Sequence, residues 1–120
     1  MAIKRLGIGF IGGGFISRFH IQSLIGVRDV DVHGVYSKTK KSAEETAALS
    51  RKIGVGKARA YDSITDMVAD SEIDALWICS PNYTRMEVME EIVHAVESGK
   101  GELIGVACEK PLGRNVAEAK

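Results

Sequence analysis

Apolar runs and amphipathic stretches alternate along the chain. Ile3–Ile11 is apolar apart from small and basic residues, the pattern of a strand buried on both faces. Three glycines follow. Phe15, Ile16, Phe19, Leu24 and Ile25 then recur at helical spacing, which predicts a helix to about Gly26 with those residues inward. Val30–Tyr36 reads as a second strand, with Asp31 and His33 marking a partly exposed face. Ser42 and Glu45 have the spacing of a capping box, in a helix predicted to end near Gly54. "VGKARAY" predicts a short strand, and Ser63 predicts the cap of a short helix through Ala69. Asp74–Ser80 is the clearest central strand. Asn82 can cap a helix whose apolar stripe is Met86, Met89, Ile92, Val93 and Val96, ended by Gly99 at C′. Glu102–Glu109 predicts a fifth strand, and Asn115 with Glu118 opens another helix.

Five strands alternating with helices predict an α/β fold of the Rossmann type, a doubly wound parallel sheet. The 120 residues suggest one domain, 1–120. The chain stops one turn into its last helix, so the domain is expected to be incomplete at its C-terminal end. Sixteen basic and sixteen acidic residues cancel, which gives no bulk reason to expect nucleic acid or an anionic membrane as partner. No signal peptide or membrane-length apolar run is read, and Cys79 and Cys108 sit inside apolar runs. Both cysteines are expected as small buried residues of a reducing, cytoplasmic protein. His20, His33 and His94 have no metal-site spacing; His20 is expected to pack on the first helix, and Trp77 to be core.

The glycines lie where a strand turns into a helix. Gly12, Gly14 and Ser17 take the G-x-G-x-x-small spacing of a dinucleotide fingerprint. The first position permits the tight turn. The second lets a pyrophosphate approach the backbone, and the third needs a small residue for helix–strand packing. The helix start offers free N–H groups and a positive dipole end. An NAD site usually has an acid at the end of the second strand, on the ribose 2′-OH. Ser37 stands there, followed by Lys38, Lys40 and Lys41. A hydroxyl beside a cation suits a 2′-phosphate, so the sequence favours NADP over NAD. Lys40 and Lys41 read as a solvated helix start.

Ligands of such sheets bind beyond the carboxyl ends of the strands. "CSPNYTR" and "CEKPLGR" lie at two such ends, and each contains one of the two prolines. The residue before a proline is held extended, which aims Ser80 and Lys110 outward. Charges at Glu109 and Lys110 beside a buried strand are costly unless paired or used.

The glycine motif, "SPN" and "EKP", in that order over the whole chain, resemble the glucose-fructose oxidoreductase / inositol dehydrogenase / MocA (Gfo/Idh/MocA) family. The resemblance implies an NAD(P)-dependent oxidoreductase that moves hydride to or from a hydroxyl-bearing carbon of a sugar, cyclitol or related polyol. It implies that Gly12, Gly14, Phe15 and Ile16 line the pyrophosphate. Ser37 and Lys38 would face the adenosine ribose, and Ser80, Pro81 and Asn82 the central and nicotinamide portions. Lys110 would lie near the nicotinamide and the reacting hydroxyl as the catalytic cation, with Glu109 beside it, and the Lys110–Pro111 bond would be cis. The family's second domain, a large mostly antiparallel sheet carrying most of the substrate pocket, is absent from this chain. The fragment alone is therefore expected to bind dinucleotide with little activity, and the full-length protein to form homo-oligomers. Where the family often has a histidine, this chain has Arg85, expected either to bind an anion or to pair with Glu87 or Glu90 at the surface. The alternative reading is a non-catalytic dinucleotide-sensing or regulatory module on the same fold, which substitution of Lys110 would separate from the enzyme.

Overall fold

A computed structural model describes residues 5–27, 29–109 and 117 of the chain. Asn115 and Glu118, expected to open the last helix, Lys110 and the Lys110–Pro111 bond lie outside the described residues.

Nine elements follow in order. They are β1 (Leu6–Ile11), α1 (Phe15–Ser23), β2 (Val30–Tyr36), α2 (Lys40–Lys52), β3 (Arg59–Ala60), α3 (Ile64–Ala69), β4 (Ala75–Ile78), α4 (Arg85–Glu97) and β5 (Gly105–Cys108). The five strands form one sheet in the order β3-β2-β1-β4-β5, with every pair parallel. The chain winds outward from β1 to one side, then returns to lay β4 on its other edge. The strand order therefore reverses between β1 and β4, and a crevice opens there beyond the strand ends.

Alternation along β1 divides the core. Ile8 and Phe10 enter a cluster with Ile21, Leu24, Val32, Ala43 and Ala47 beneath α1 and α2. Ile11 faces the other way, into a cluster with Met67, Leu76, Ile78, Val88 and Ile92 beneath α3 and α4. Fully burying a side chain such as Phe10 or Ile11 contributes roughly 1.5–3 kcal/mol. In β2 the register slips between Ile8 and Gly9, leaving His33 as the extra residue. Strict alternation would send Val32 and Val35 to opposite faces. The irregularity puts both in the cluster under α1 and α2.

Three local expectations change. On α1 the buried residues are Ser17 and Ile21, followed by Leu24 in a 3-10 turn; Phe15, Ile16, Phe19 and Ile25 are exposed. On α4 the buried face is Arg85, Val88, Ile92 and Ala95, whereas Met86, Met89, Val93 and Val96 are exposed. Apolar residues occupy most of the circumference of α4, so periodicity could not say which arc turns inward. The Ser42–Glu45 capping box is also absent. Thr39 is the N-cap of α2, and the Ser42 hydroxyl donates to the Gly13 carbonyl instead.

Two further caps match their residues, and a third does not. The Ser63 hydroxyl accepts the Asp66 N–H at the start of α3. Gly99 has φ of 76°, its N–H donates to the Val96 carbonyl, and the Lys100 N–H donates to the Ala95 carbonyl, the Schellman pair. A 3-10 turn at Asn82–Thr84 precedes α4, whose N-cap is Thr84 rather than Asn82.

Candidate functional site

The glycine turn joins β1 to α1 between two neighbouring strands. The Gly12 N–H donates to the Tyr36 carbonyl at 2.7 Å, and the Cys79 N–H to the Ile11 carbonyl at 2.8 Å. Gly12 has φ of 111°, and a Cβ there would lie 2.9 Å from the Ser80 nitrogen. Both the backbone conformation and the space require glycine. A Cβ on Gly13 would lie 2.2 Å from the Ser42 hydroxyl oxygen, so the middle glycine admits α2. Ser42 and Thr46 donate to the Gly13 carbonyl at 3.2 and 3.3 Å. Around Gly14 the space is open to beyond 4 Å. The three glycines thus face the end of β4, α2 and open space, in that order. Ser17 is buried and donates to the Gly12 carbonyl at 2.6 Å, closing the turn from the helix side.

Gly14 is the N-cap of α1, with no side chain capping the helix and no acid in its first turn. The first N–H groups of α1 consequently keep their capacity for an anion.

A cleft of about 740 Å³ lies at this strand reversal. Gly12, Gly14, Phe15, Ile16, Ser37, Lys38, Ser80 and Pro81 all line it, so eight of the expected site residues come together. Tyr36, Ile64 and Val88 add apolar wall, and Glu87 and Glu91 add carboxylates from α4. Glu91 accepts from the Thr65 N–H and hydroxyl at 3.1 and 3.3 Å, which fixes its position. Cys79 also lines the cleft; burial pushes its thiol up to about 11, so it is not a thiolate nucleophile.

The three lysines after β2 separate. Lys40 pairs with Asp62 at 2.5 Å and Lys41 with Glu45 at 3.9 Å. Lys38 is exposed at the cleft and has no carboxylate partner among the described residues.

At the far end of the cleft, Thr84 joins the loop after β4 together. Its hydroxyl donates to the Pro81 carbonyl at 2.6 Å and lies 2.9 Å from the Ser80 hydroxyl. Arg85 is not the surface partner of Glu87 or Glu90. It is 5% exposed, and its Nε and Nη2 donate to the Ser80 carbonyl at 3.2 and 3.0 Å. Its Nη1 donates to the Glu109 carbonyl. The reason is its place as first residue of α4, at the head of the buried stripe Arg85, Val88, Ile92. A buried guanidinium must spend its donors on nearby acceptors, and the carbonyls of two strand ends supply them.

Glu109 lies outside the cleft lining and makes its own contacts. Its N–H donates to the Ile78 carbonyl at 2.9 Å, and its carboxylate meets Nε2 of His20. The His20 ring also packs on Trp77, with centroids 4.1 Å apart. His20 therefore packs as expected and in addition holds the acid of the "EKP" stretch. No sequence spacing signals this contact, because the two residues are 89 positions apart.

Comparison with known proteins agrees with this geometry. The family model described as an oxidoreductase family with NAD-binding Rossmann fold, GFO_IDH_MocA, matches residues 6–120. The chain belongs to this family. It is 31% identical over 111 residues to the myo-inositol 2-dehydrogenase of Thermotoga maritima, covering 92% of this chain and 30% of that protein. It is 30% identical over 110 residues to a scyllo-inositol 2-dehydrogenase (NADP(+)) of Bacillus subtilis, again covering 92% and 30%. Among solved structures, UDP-N-acetylglucosamine 3-dehydrogenase from Acidithiobacillus ferrooxidans superposes with a TM-score of 0.72 at 28% identity, over 97% of this chain and 33% of that one. The chain thus spans about 30% of the length of the curated relatives it matches.

Proposed function

We propose that this chain is the dinucleotide-binding domain of an oxidoreductase that carries hydride between a nicotinamide and a hydroxyl-bearing carbon of a sugar, cyclitol or related polyol, with NADP preferred to NAD. The observation that carries this reading is the cleft at the β1/β4 reversal. It has a helix start without a side-chain cap on one side and the exposed Lys38, with Ser37, on the other. The pyrophosphate would rest on Gly12, Gly14, Phe15 and Ile16. Ser37 and Lys38 would take the ribose and its 2′-phosphate. Ser80, Pro81 and Asn82 would border the nicotinamide half. Lys110 would supply the cation that favours negative charge on the substrate oxygen as hydride leaves. The dehydrogenase names of the relatives support the class.

Parallel titration of the folded chain with NADP and NAD tests the cofactor. NADP should bind more tightly. Lys38→Ala should weaken NADP by about tenfold or more, since a charge-assisted contact contributes about 1.5–3 kcal/mol. NAD affinity should stay within about twofold. Ser37→Asp should reverse the preference, because a carboxylate repels the 2′-phosphate and accepts from the 2′-OH. No binding of either dinucleotide would refute the reading. In the enzyme that carries this domain, Lys110→Met should abolish turnover; full retention would leave a regulatory module as the better account.

A further inference from the structure

His20 and Glu109 join two parts of the fold that the proposed reaction needs in fixed relation. His20 lies on α1, whose first turn lines the cleft as the phosphate end. Glu109 immediately precedes Lys110. Its backbone is already held twice, by the Ile78 carbonyl accepting its N–H and by the Arg85 guanidinium donating to its carbonyl. The His20 imidazole adds a third restraint, on the side chain. Both side chains are mostly removed from water, at 21% and 25% exposure. The imidazole packs, tilted by 31°, on Trp77 of β4, which in turn stacks on Phe10 of β1 with centroids 5.5 Å apart. A rigid line of rings therefore runs from the central strand to the carboxylate.

We infer that His20 is a positioning residue: through Glu109 it fixes the end of β5 relative to the dinucleotide held by α1. The inference rests on the proposed oxidoreductase reading. A hydrogen-bonded bridge of this kind transmits the position of one element to another without touching cofactor or substrate. Small errors in such placement are costly, since a misplacement of about 1 Å can lower a rate by about a hundredfold.

The test uses the enzyme that carries this domain, with three variants. His20→Phe keeps an aromatic ring on Trp77 and removes the polar contact. His20→Gln restores an N–H donor. Glu109→Ala, which removes the carboxylate that meets His20, serves if His20→Phe fails to fold. The inference expects kcat in His20→Phe to fall by about tenfold or more, with dinucleotide Kd within about twofold of wild type. His20→Gln should recover most of the rate. Hydrogen exchange followed by mass spectrometry should show faster exchange in the peptide spanning Cys108–Lys110 of His20→Phe, and not in α1. Wild-type kcat in folded His20→Phe would overturn the inference. So would equal losses of kcat in His20→Phe and His20→Gln, or an unchanged exchange rate at Cys108–Lys110. If His20→Phe fails to fold, a Glu109→Ala enzyme with unaltered kcat and exchange overturns it, and a rate loss with unchanged dinucleotide Kd supports it. Lys110→Met separates the two levels. Full turnover in Lys110→Met removes the oxidoreductase reading itself, whereas an inactive Lys110→Met beside a fully active His20→Phe removes only the role of His20.

Discussion

The three glycines of the turn look equivalent in the sequence, yet each meets a different neighbour. Gly12 is required by its backbone, Gly13 by α2, and Gly14 by nothing among the described residues. This separates folding from binding. Gly12→Ala should destabilise the fold by about 1–3 kcal/mol, through left-handed strain and collision with the Ser80 nitrogen. Gly14→Ala should leave stability within about 0.5 kcal/mol of wild type. The same change should weaken dinucleotide binding by about tenfold or more, or about 1.4 kcal/mol, if a pyrophosphate needs that space. Chemical denaturation and a binding titration on both variants check the contrast; equal effects on stability would show that Gly14 serves the fold. The first and third positions of the fingerprint were legible because backbone geometry demands small residues there. Gly13 was not, because its neighbour Ser42 is 29 positions away. Arg85 was misread for a similar reason: its acceptors are carbonyls, and a carbonyl leaves no mark in a sequence.

At the scale of elements, the alternation of strands and helices along the described residues was legible, because period-2 and period-3.6 patterns with glycine punctuation require only local information. Which face of α1 and α4 turns inward was not, since both helices carry apolar residues around most of their circumference. The edge strand β3 shows how a two-residue element is held. The Tyr61 hydroxyl donates to the carboxylate of Asp70, the C-cap residue of α3, which also accepts from Arg59 at 3.0 Å and from the Glu72 N–H at 2.9 Å. Partial burial pushes the Tyr61 hydroxyl up to about 12, aided by Asp70. Partial burial also acts to raise the Asp70 carboxyl, but the bonds from Tyr61, Glu72 and Arg59 together outweigh it and hold the group below its usual range. The signs follow from linkage. The raised Tyr61 contributes stability that is complete below its unfolded value of about 10 and lost as pH rises through the folded one. The lowered Asp70 contributes stability present above about 4 and lost as pH falls further. Tyr61→Phe should therefore cost about 1 kcal/mol near neutrality. Urea unfolding from neutral to acid pH should find that difference constant above about pH 5 and shrinking below about pH 4. A difference that does not change in acid would mean that packing of the ring, not the bond to Asp70, holds β3.

At the scale of the whole molecule, the arc of α4 that does not face the sheet is apolar and exposed at Met86, Met89, Val93 and Val96. Beyond it, Ile104 is 79% exposed and β5 leaves three of its four residues, Gly105 to Ala107, open to solvent. Among the described residues no strand pairs with the outer edge of β5. An apolar face beside an unpaired strand edge is a route to association between chains. A formal net charge of zero adds no repulsion to oppose it. The chain by itself should thus self-associate as its concentration rises and bind an apolar dye. The double substitution Met89→Lys and Val93→Glu should reduce both effects while keeping net charge at zero, so that any gain comes from lost apolar surface rather than from repulsion. Neither residue lines the cleft, so NADP affinity should stay within about twofold. Sedimentation and dye fluorescence on the two proteins decide the point: if association is unchanged, the apolar face of α4 is not what joins the chains, and the bare edge of β5 becomes the surface to alter.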